Sequence, residues 1–447
     1  MMKKLYIETL GCSKNLVDSE QMLGILDEDY TLCDQAEEAE ILIVNTCSFI
    51  HDAQEESINV ILDFARLKTE GHLEKLIITG CLSQRYPDEL LAEIPEIDAI
   101  IGTSNFYKVN EVIKTLDQNK SQKVFIESVD LQIPENLPRI LTTPSYYAYL
   151  KIAEGCDNKC TYCIIPKLRG KYRSRALEDI IEEAEDLVSM GVKELILIAQ
   201  DTSRYGIDLY KKPSLPKLLT ALNAIEGLKW IRVQYSYPDI LEDDLLEGFF
   251  SNDKVVNYFD IPIQHASDKI LKLMNRKTTH EDILKITQKI RKRDPEAVIR
   301  TTCIVGFPGE TEQDFDALLK LVKEVKFDRL GAFTYSNEEN TPAFKLPNQV
   351  AETVMVERRD ALMALQMNIS ESLSYSKVGK VYEVLVEELV EENKIYVGRT
   401  KYDSPEIDGV VYINTTEALD IGSFIEVKMI DALEYDVIGE VYHEHSK

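Results

Sequence analysis

The sequence has no long uninterrupted apolar run and no excess of positive charge. No stretch approaches the length needed to cross a bilayer, and the first ten residues contain two lysines but only a short apolar stretch. We therefore expect a cytoplasmic protein with no membrane segment. The sequence has 51 Lys and Arg residues and 78 Asp and Glu residues, which gives a net charge of -27. A chain this acidic is expected to repel bulk nucleic acid and to attract basic partners.

Internal repeats and low-complexity segments are also missing. With 44% hydrophobic and 29% charged residues, the 447-residue chain has the composition of folded domains and the length for two or three of them. Its eight cysteines, in a large protein that is not exported, indicate metal or redox chemistry rather than disulfides.

The first hundred residues alternate apolar strands with helical stretches. The strand-like segments LYIETLGC, AEILIVNTC, EKLIITGC and IDAIIG predict a small α/β domain with a parallel sheet. Cys12, Cys47 and Cys81 each fall where a strand ends, so all three are expected at the carboxyl edge of that sheet. A buried lone cysteine is most often a small apolar residue, but three at equivalent strand ends predict a cluster. The polar stretch at 117–123 and the proline-bearing segment at 133–144 predict a linker, and we place this domain at 1–143.

The middle of the chain contains six strand-helix units. Their strands lie near YYAYLKIA, ELILIAQ, WIRVQY, YFDIPIQ, VIRTTCIVGF and RLGAFTYS, and a helix at about 351–375 follows the last unit. Six such units over 144–375 predict a partial (β/α)6 barrel with its chemistry at the carboxyl ends of the strands.

The pattern changes to short β-rich segments over 376–447. VYEVLVEEL, KIYVGRT, IDGVVYI, SFIEVKMI and YDVIGEVY predict a five-stranded β-barrel, so the fold class of the whole chain is α/β with a C-terminal barrel. From residue 380 onward the sequence has sixteen acidic residues against six Lys and Arg.

A CxxxCxxC loop directly follows the first predicted barrel strand. Its thiols, Cys156, Cys160 and Cys163, are spaced to hold one four-iron four-sulfur cluster and to leave the fourth iron without a protein ligand. A structural zinc loop is the alternative, but zinc normally takes four protein ligands and no fourth Cys or His lies close by in sequence.

This loop, with Tyr162 before its last cysteine, resembles the signature of the radical S-adenosylmethionine superfamily. The resemblance implies that S-adenosylmethionine chelates the vacant iron. It also implies that the strand ends ILIAQD (196–201) and CIVGFPGET (303–311) approach the amino group and adenine of the cosubstrate. Taken alone, GFPGET is a strand-to-helix turn with Thr311 as a helix cap. The residues expected to contact the cosubstrate are Tyr162, Gln200, Gln264, Arg276 and Gly306.

The fourth predicted strand brings His265 and Ser267 to the same barrel mouth. His265 is as readily explained as a hydrogen-bonded structural histidine as a site residue. Cys33 and Cys303 match no ligand position, and we interpret both as structural.

The whole chain resembles the methylthiotransferase family. That family carries a second four-iron four-sulfur cluster on an N-terminal three-cysteine domain, here Cys12, Cys47 and Cys81, followed by the radical barrel and a TRAM domain. LGCSKNLVDSE (10–20), YSNEENTPA (335–343) and RTKYDSPEIDGVVYI (399–413) resemble the branch that modifies small-subunit ribosomal protein twelve. The alternative is the branch that modifies an adenosine of tRNA, which more often has a GCQMN-like start and a basic TRAM domain.

The acidic C-terminal module agrees with a basic protein substrate, although a merely solvated acidic surface explains its charge equally well. The resemblance implies that a 5′-deoxyadenosyl radical takes hydrogen from the β-carbon of an aspartate, which then receives a methylthio group. Ordinary acid-base chemistry cannot activate that bond, so no side chain is predicted as a catalytic acid or base. An electron donor such as a flavodoxin-type reductant and a monomeric chain are further expectations.

Overall fold

The computed structural model describes residues 2–118, 121–390 and 395–443. In those ranges, none of the helices combines the length and the apolarity needed to span a bilayer. The α/β class is confirmed, with two open parallel sheets followed by a closed β-barrel.

The first sheet is fully parallel and has the strand order β2-β1-β3-β4-β5-β6. Its elements, in chain order, are β1 (Lys4–Thr9), α1 (Ser13–Leu26), β2 (Thr31–Leu32), β3 (Ile41–Thr46), α2 (His51–Thr69), β4 (Lys75–Gly80), α3 (Cys81–Arg85), α4 (Pro87–Glu93), β5 (Ala99–Ile101), α5 (Val109–Asp117) and β6 (Val124–Phe125). The four predicted strands are β1, β3, β4 and β5. The edge strands β2 and β6 have two residues each, too few for a periodic pattern, so the sequence did not indicate them.

The two central strands of this sheet are fully buried, which is typical of a parallel sheet. Every residue of β3 and β4 is buried, as expected for strands covered by helices on both faces. Leu42 and Val44 pack into the core on one face, and Ile41 and Ile43 pack into the core on the other. The sheet also extends to β6, beyond the predicted linker at 117–123. Part of that linker, residues 119 and 120, lies outside the described residues.

The second sheet has six parallel strands in the order β14-β13-β12-β11-β10-β7, which is an open, partial barrel. Its strands are β7 (Tyr147–Lys151), β10 (Glu194–Ile198), β11 (Trp230–Val233), β12 (Val255–Asp260), β13 (Val298–Val305) and β14 (Arg329–Thr334), and a short hairpin is formed by β8 (Ala153–Glu154) and β9 (Arg173–Ser174). All six predicted strands are present.

Helices accompany the strands of this sheet, and the longer ones cover its outer face. They are α6 (Ile165–Arg169), α7 (Leu177–Ser189), α8 (Ile207–Tyr210), α9 (Leu215–Asn223), α10 (Asp243–Phe250), α11 (Asp268–Leu273), α12 (His280–Arg293), α13 (Glu312–Val325) and α14 (Glu352–Tyr375). Thr311 caps α13 in a capping box with Asp314, which confirms its predicted role at the helix start. Ala148, Leu150 and Leu195 belong to the core beneath the helices.

The third domain is a closed barrel with the strand order β15-β16-β17-β19-β18. Its strands are β15 (Val381–Val390), β16 (Ile395–Thr400), β17 (Val411–Asn414), β18 (Phe424–Ala432) and β19 (Val437–Val441). These are the five predicted strands, although the first residue of the KIYVGRT segment, 394, lies outside the described residues.

Charged residues of the C-terminal barrel pack against the inner face of the partial barrel. Arg399 contacts Glu194 of β10, which also accepts a hydrogen bond from Arg232 of β11 at 2.8 Å. All three side chains are almost completely buried. Asp408 accepts a hydrogen bond from Arg300 at 3.0 Å. Asp408, and Asp403 through its contact with Arg329, therefore neutralise arginines of the barrel and are not available as substrate surface.

Asp403 makes the contact between the C-terminal barrel and the partial barrel sensitive to low pH. Burial opposes its ionisation, but Lys377, Arg329 and a hydrogen bond from Thr400 outweigh burial and lower its pKa from 3.8 to about 2. A carboxyl with a depressed pKa stabilises the fold above its unfolded value, and the stabilisation is lost as the pH falls from about 4 to about 2. We expect Asp403→Asn to lower the free energy of unfolding by about 2 kcal/mol at neutral pH and to make its pH dependence shallower.

The measurement is denaturant unfolding of the cluster-free chain across that pH window, because thiolate-metal bonds are themselves weakened in acid. Asp420→Asn, at an exposed position of the same domain, is the control. An Asp403→Asn protein with the pH profile of the unmodified chain would contradict this prediction.

Candidate functional site

A tight loop between β8 and α6 carries Cys156, Cys160 and Cys163. The loop begins at Gly155, whose φ is +79° and where a Cβ atom would lie 2.1 Å from the carbonyl oxygen of Lys171. The Cys156 amide then donates to the Gly170 carbonyl at 3.1 Å, and the Cys163 amide donates to the Cys160 carbonyl at 3.2 Å. The backbone therefore turns back on itself, and the three thiols share one short loop at the carboxyl end of the first barrel strand.

Two thiols of this loop, those of Cys156 and Cys163, resist ionisation because they are buried. Burial, and then the neighbouring Cys160 thiol, raise the pKa of Cys163 well above its ordinary value. Burial also raises the pKa of Cys156 to about 12, with a smaller contribution from Cys160. Thiolates this close together and this buried need a positive partner, which a metal centre supplies on binding.

Tyr237 and Arg276 flank the second cysteine of the loop. The Tyr237 hydroxyl lies 2.5 Å from the Cys160 sulfur, and the Arg276 guanidinium stacks 3.8 Å from the centre of the Tyr237 ring. An Arg276 side-chain nitrogen also donates to the Pro262 carbonyl at 2.5 Å, which fixes the guanidinium beside the loop. Arg276 was predicted from sequence, whereas Tyr237 was missed because nothing in the segment WIRVQYSYP distinguishes it from its neighbours.

Tyr237→Phe is expected to leave the loop intact and to make the reduction potential of a cluster bound there more negative. A hydroxyl that donates to a thiolate sulfur stabilises the reduced cluster, so its removal disfavours reduction. The shift is expected to be on the order of tens of millivolts, since a tenfold change in a one-electron equilibrium corresponds to about 59 mV. An anaerobic redox titration followed by electron paramagnetic resonance measures it. An unchanged or more positive potential would contradict the prediction.

The second set of cysteines lies at the carboxyl edge of the first sheet. Cys12 immediately precedes α1, Cys47 follows β3 and Cys81 is the first residue of α3, directly after β4. Burial raises the pKa of Cys47 to about 12, and the nearby Cys81 and Cys12 thiols add to the effect. Gly11 allows the close approach, because a Cβ atom there would lie 2.9 Å from the Cys47 sulfur. Three cysteines distant in sequence thus meet at one sheet edge.

The N-terminal set of cysteines lies at the contact between the first two domains. Cys81 packs with Ile164 and Leu168, which directly follow the CxxxCxxC loop. Arg169, at the end of the same helix, partly offsets the burial that raises the pKa of Cys81. Its guanidinium donates to Asn15 at 2.5 Å, on the first turn after Cys12.

Buried ion pairs fix this domain contact. Lys151 at the end of β7 donates to Asp18 of α1 at 2.5 Å, and Arg169 donates to the same carboxylate at 2.8 Å. Arg85, one turn after Cys81, pairs with Glu338 at 2.7 Å, and both side chains are about 95% buried. Charges held this way are costly to separate, so the two cysteine sets are positioned rigidly with respect to each other.

The donor sets fit clusters better than single ions. Within residues 2–118, 121–390 and 395–443, no three Cys, His, Asp or Glu side chains are grouped to hold one metal ion. A cubane cluster has a separate iron for each thiolate, so its three ligands do not converge on one point. Both sets contain only thiolates, the ligand that iron-sulfur clusters take.

Gln200 and Gln264 offer polar atoms at the strand ends. Gln200 donates to Glu154 at 2.5 Å, and among the described residues its buried side-chain oxygen has no hydrogen-bond partner. The buried side-chain oxygen of Gln264 is equally unpartnered in the described part of the chain, and this residue has a φ of +70°. Buried polar atoms are normally satisfied, so these two fit contact with a polar cosubstrate.

Packing and hydrogen bonding within the protein account for the positions of Gly306 and Tyr162. A Cβ atom on Gly306 would lie 2.3 Å from the Met355 side chain, and the Gly306 amide donates to Glu310 at 2.8 Å. Tyr162 packs beside a cluster that includes Phe307, and burial raises its pKa well above the ordinary value. Their contact with the cosubstrate stays a prediction.

His265 is completely buried and supports the turn that carries Gln264. Its Nδ1 accepts a hydrogen bond from the Ser267 amide at 2.9 Å, and its Nε2 lies 3.5 Å from Glu310. These contacts favour the structural interpretation. Cys303 is buried within β13, and the Cys33 thiol contacts the Leu5 carbonyl at 3.4 Å, away from both cysteine sets.

The partial barrel and its cysteine loop are those of a radical S-adenosylmethionine enzyme. Residues 150–322 match the family described as the radical SAM superfamily, residues 4–102 match the uncharacterized protein family UPF0004, and residues 378–441 match the TRAM domain. Enzymes of this superfamily use S-adenosylmethionine together with an iron-sulfur cluster.

Relatives that match over their full length show which family of radical S-adenosylmethionine enzymes the chain belongs to. The chain is 55% identical to the ribosomal protein uS12 methylthiotransferase RimO of Clostridioides difficile, over 99% of this chain and 100% of the relative. It is 51% identical to the protein of the same name from Thermoanaerobacter sp., over 98% of this chain and 100% of the relative. The chain therefore belongs to the RimO family of ribosomal protein uS12 methylthiotransferases.

Solved structures share the fold at much lower identity. The radical S-adenosylmethionine methyltransferase TsrM from Kitasatospora setae aligns with a TM-score of 0.56 at 13% identity and covers 77% of each chain. The cobalamin-dependent radical enzyme OxsB aligns with a TM-score of 0.52 at 12% identity, over 82% of this chain and 56% of that one. At such identities the similarity concerns the fold alone.

Proposed function

We propose that this protein adds a methylthio group to the β-carbon of an aspartate residue in small-subunit ribosomal protein uS12. Its full-length relatives are named as methylthiotransferases of that ribosomal protein. They favour this substrate over the tRNA alternative. Because the substrate belongs to the ribosome, the reaction is assigned to the cytoplasm.

The observation that carries the chemistry is the packing of Cys81 against the helix that follows Cys163. Sulfur insertion at an unactivated carbon needs a radical source and a sulfur source that reach the same atom. Two sets of cysteines, one on each of two domains that meet at a buried contact, would place a radical source and a sulfur source near each other. We therefore propose one four-iron four-sulfur cluster on Cys156, Cys160 and Cys163 and a second on Cys12, Cys47 and Cys81.

When bound, these clusters and S-adenosylmethionine supply the radical, the sulfur atom and the methyl group. The side chains of the protein bind and orient them. Gln200, Gln264 and Arg276 are proposed to contact the cosubstrate with Tyr162 and Gly306. The Arg169 guanidinium is proposed to offset the charge of the N-terminal set, since it interacts with Cys81 and Cys12. The buried ion pairs of the domain contact keep water out.

The outward-facing acidic residues of the C-terminal barrel are proposed to receive a basic substrate. After the buried carboxylates are set aside, nine acidic side chains remain exposed in the described part of this domain: Glu383, Glu388, Glu406, Glu417, Asp420, Glu426, Asp431, Glu434 and Glu440. Charge complementarity of this kind steers association. In this proposal residues 1–143 carry the auxiliary cluster, 144–375 the radical centre and 376–447 the substrate contact. A flavodoxin-type donor supplies electrons to a monomeric chain.

The test is an anaerobic reconstitution followed by product analysis. Two cubane clusters predict about eight irons per chain. The reconstituted protein is supplied with reductant, sulfide and S-adenosylmethionine, and with either uS12 or tRNA, and each product is read by mass spectrometry. A methylthio gain on an aspartate of uS12 supports the proposal. A gain on tRNA alone would overturn the substrate assignment and leave the radical chemistry intact.

A further inference from the structure

A buried lysine lies at the contact between the two domains that carry the cysteine sets. Lys14 is the second residue of α1, two positions after Cys12, and its side chain is only 8% exposed. Its ammonium nitrogen lies 3.4 Å from the centre of the Tyr235 ring, across the domain contact. Within the described parts of the chain, no carboxylate lies within 4 Å of that ammonium. A desolvated ammonium needs compensation, and a tyrosine ring supplies only a part of it.

Tyr235 connects this lysine to the radical site. It follows β11 in a left-handed conformation with a φ of +60°, and its amide donates to Asp260 at 2.9 Å. Two residues later, the Tyr237 hydroxyl reaches the Cys160 sulfur at 2.5 Å. Lys14 is therefore two residues from a cysteine of one set and contacts a segment that touches a cysteine of the other set.

The other charges around this point have close partners. Arg300 donates to Asp408 at 3.0 Å and lies 3.7 Å from Asp260, and Arg329 contacts Asp403. Asp260 lies near enough to Lys14 for its pKa to be influenced by the lysine, but burial and Arg300 affect that pKa more strongly. Lys14 thus differs from its charged neighbours, because its ammonium contacts an aromatic ring in place of an anion.

The proposed reaction brings the carboxylate of the substrate aspartate close to the domain contact where Lys14 lies. The reacting carbon must be reached from both cysteine sets, and in an aspartate the carboxylate is one bond away from the β-carbon. Resting on the proposed function, we propose that the Lys14 ammonium binds the side-chain carboxylate of the substrate aspartate and that this ion pair selects aspartate. An uncharged side chain of the same shape, such as asparagine, leaves the ammonium without its partner and binds less well.

The test is a double-mutant cycle between Lys14 and the acceptor residue. Affinity is measured for uS12 with its acceptor aspartate and for uS12 with that residue changed to asparagine, using the reconstituted full-length protein with S-adenosylmethionine and no reductant. For the unmodified enzyme we expect the aspartate form to bind about ten- to a hundredfold more tightly. In Lys14→Met, an unbranched replacement of similar length, the ratio is expected to approach one. Lys14→Arg keeps the charge and is expected to retain most of the preference.

Lys320→Met, at an exposed position of α13, is the matched control and is expected to keep the unmodified ratio. Iron content and thermal midpoint show whether each variant is folded, and Lys14→Gln replaces the methionine variant if that one is not. If the uncharged variants keep the full preference for aspartate while the unmodified enzyme methylthiolates uS12, this inference is overturned and the proposed function stands. If the unmodified enzyme neither binds nor modifies uS12, the proposed function is overturned together with it.

Discussion

Cys160→Ala is expected to form no 5′-deoxyadenosine from S-adenosylmethionine, whereas Cys47→Ala is expected to form it and to add no methylthio group. The reason is the division of thiolates between two domains. Cys160 lies on the barrel loop beside Tyr237, and Cys47 lies at the edge of the first sheet. Under the two-cluster proposal, loss of one thiolate from a three-thiolate set removes the cluster proposed there, and each cluster accounts for about four irons.

The measurement combines iron analysis, quantification of 5′-deoxyadenosine and mass spectrometry of uS12. Both variants are expected to bind about half the iron of the unmodified chain, and they differ in which product is missing. Cys33→Ala is the matched control, because this thiol contacts the Leu5 carbonyl away from both sets, and both products are expected to persist. Sulfur insertion by Cys47→Ala would overturn the two-cluster assignment.

Glu194→Ala is expected to destabilise the protein by about 3 to 5 kcal/mol, the range for breaking a buried ion pair. The Glu194 carboxylate contacts Arg232 and Arg399, and none of the three side chains is more than about 1% exposed. Both arginines lower its pKa in spite of burial. Without the carboxylate, two guanidinium groups remain buried with one neutralising charge fewer, and the C-terminal barrel loses part of its attachment.

Denaturant unfolding at neutral pH measures this effect. Glu426→Ala, a glutamate exposed on β18, is the matched control and is expected to change the free energy of unfolding by no more than about 0.5 kcal/mol. Adding Arg399→Met to Glu194→Ala is expected to recover part of the loss, because it removes one of the unpaired charges. A Glu194→Ala protein as stable as the control would show that this cluster of charges does not hold the domains together.

The fold was predictable because its signals are local. The six strands of the partial barrel and the five strands of the C-terminal barrel are each marked by a periodic apolar pattern or by a flanking turn. All eleven of these strands are present in the structure. The strands β2, β6, β8 and β9 were missed because they have two residues each, too few to show a periodic pattern. The CxxxCxxC loop was equally predictable, because the short spacing of its three cysteines in the sequence is enough to bring them onto one loop.

Other features depend on contacts that no local pattern marks. The gathering of Cys12, Cys47 and Cys81 follows from parallel strands ending at one edge, and the sequence predicts it once those strands are recognised. The contact of Tyr237 with Cys160, the position of Lys14 over Tyr235 and the pairing of Arg399 with Glu194 join residues far apart in the chain.

The sequence by itself thus indicated the three-part architecture, the two sets of cysteines and the family of the enzyme, because strand and helix periodicity and the CxxxCxxC spacing are properties of neighbouring residues. Only the tertiary structure decided that the two domains that carry them meet at a buried contact and that a buried lysine lies there against Tyr235. The physical reason is that packing between domains minimises the free energy of the whole chain, and buried charges there are paired by position in space and not by order in sequence.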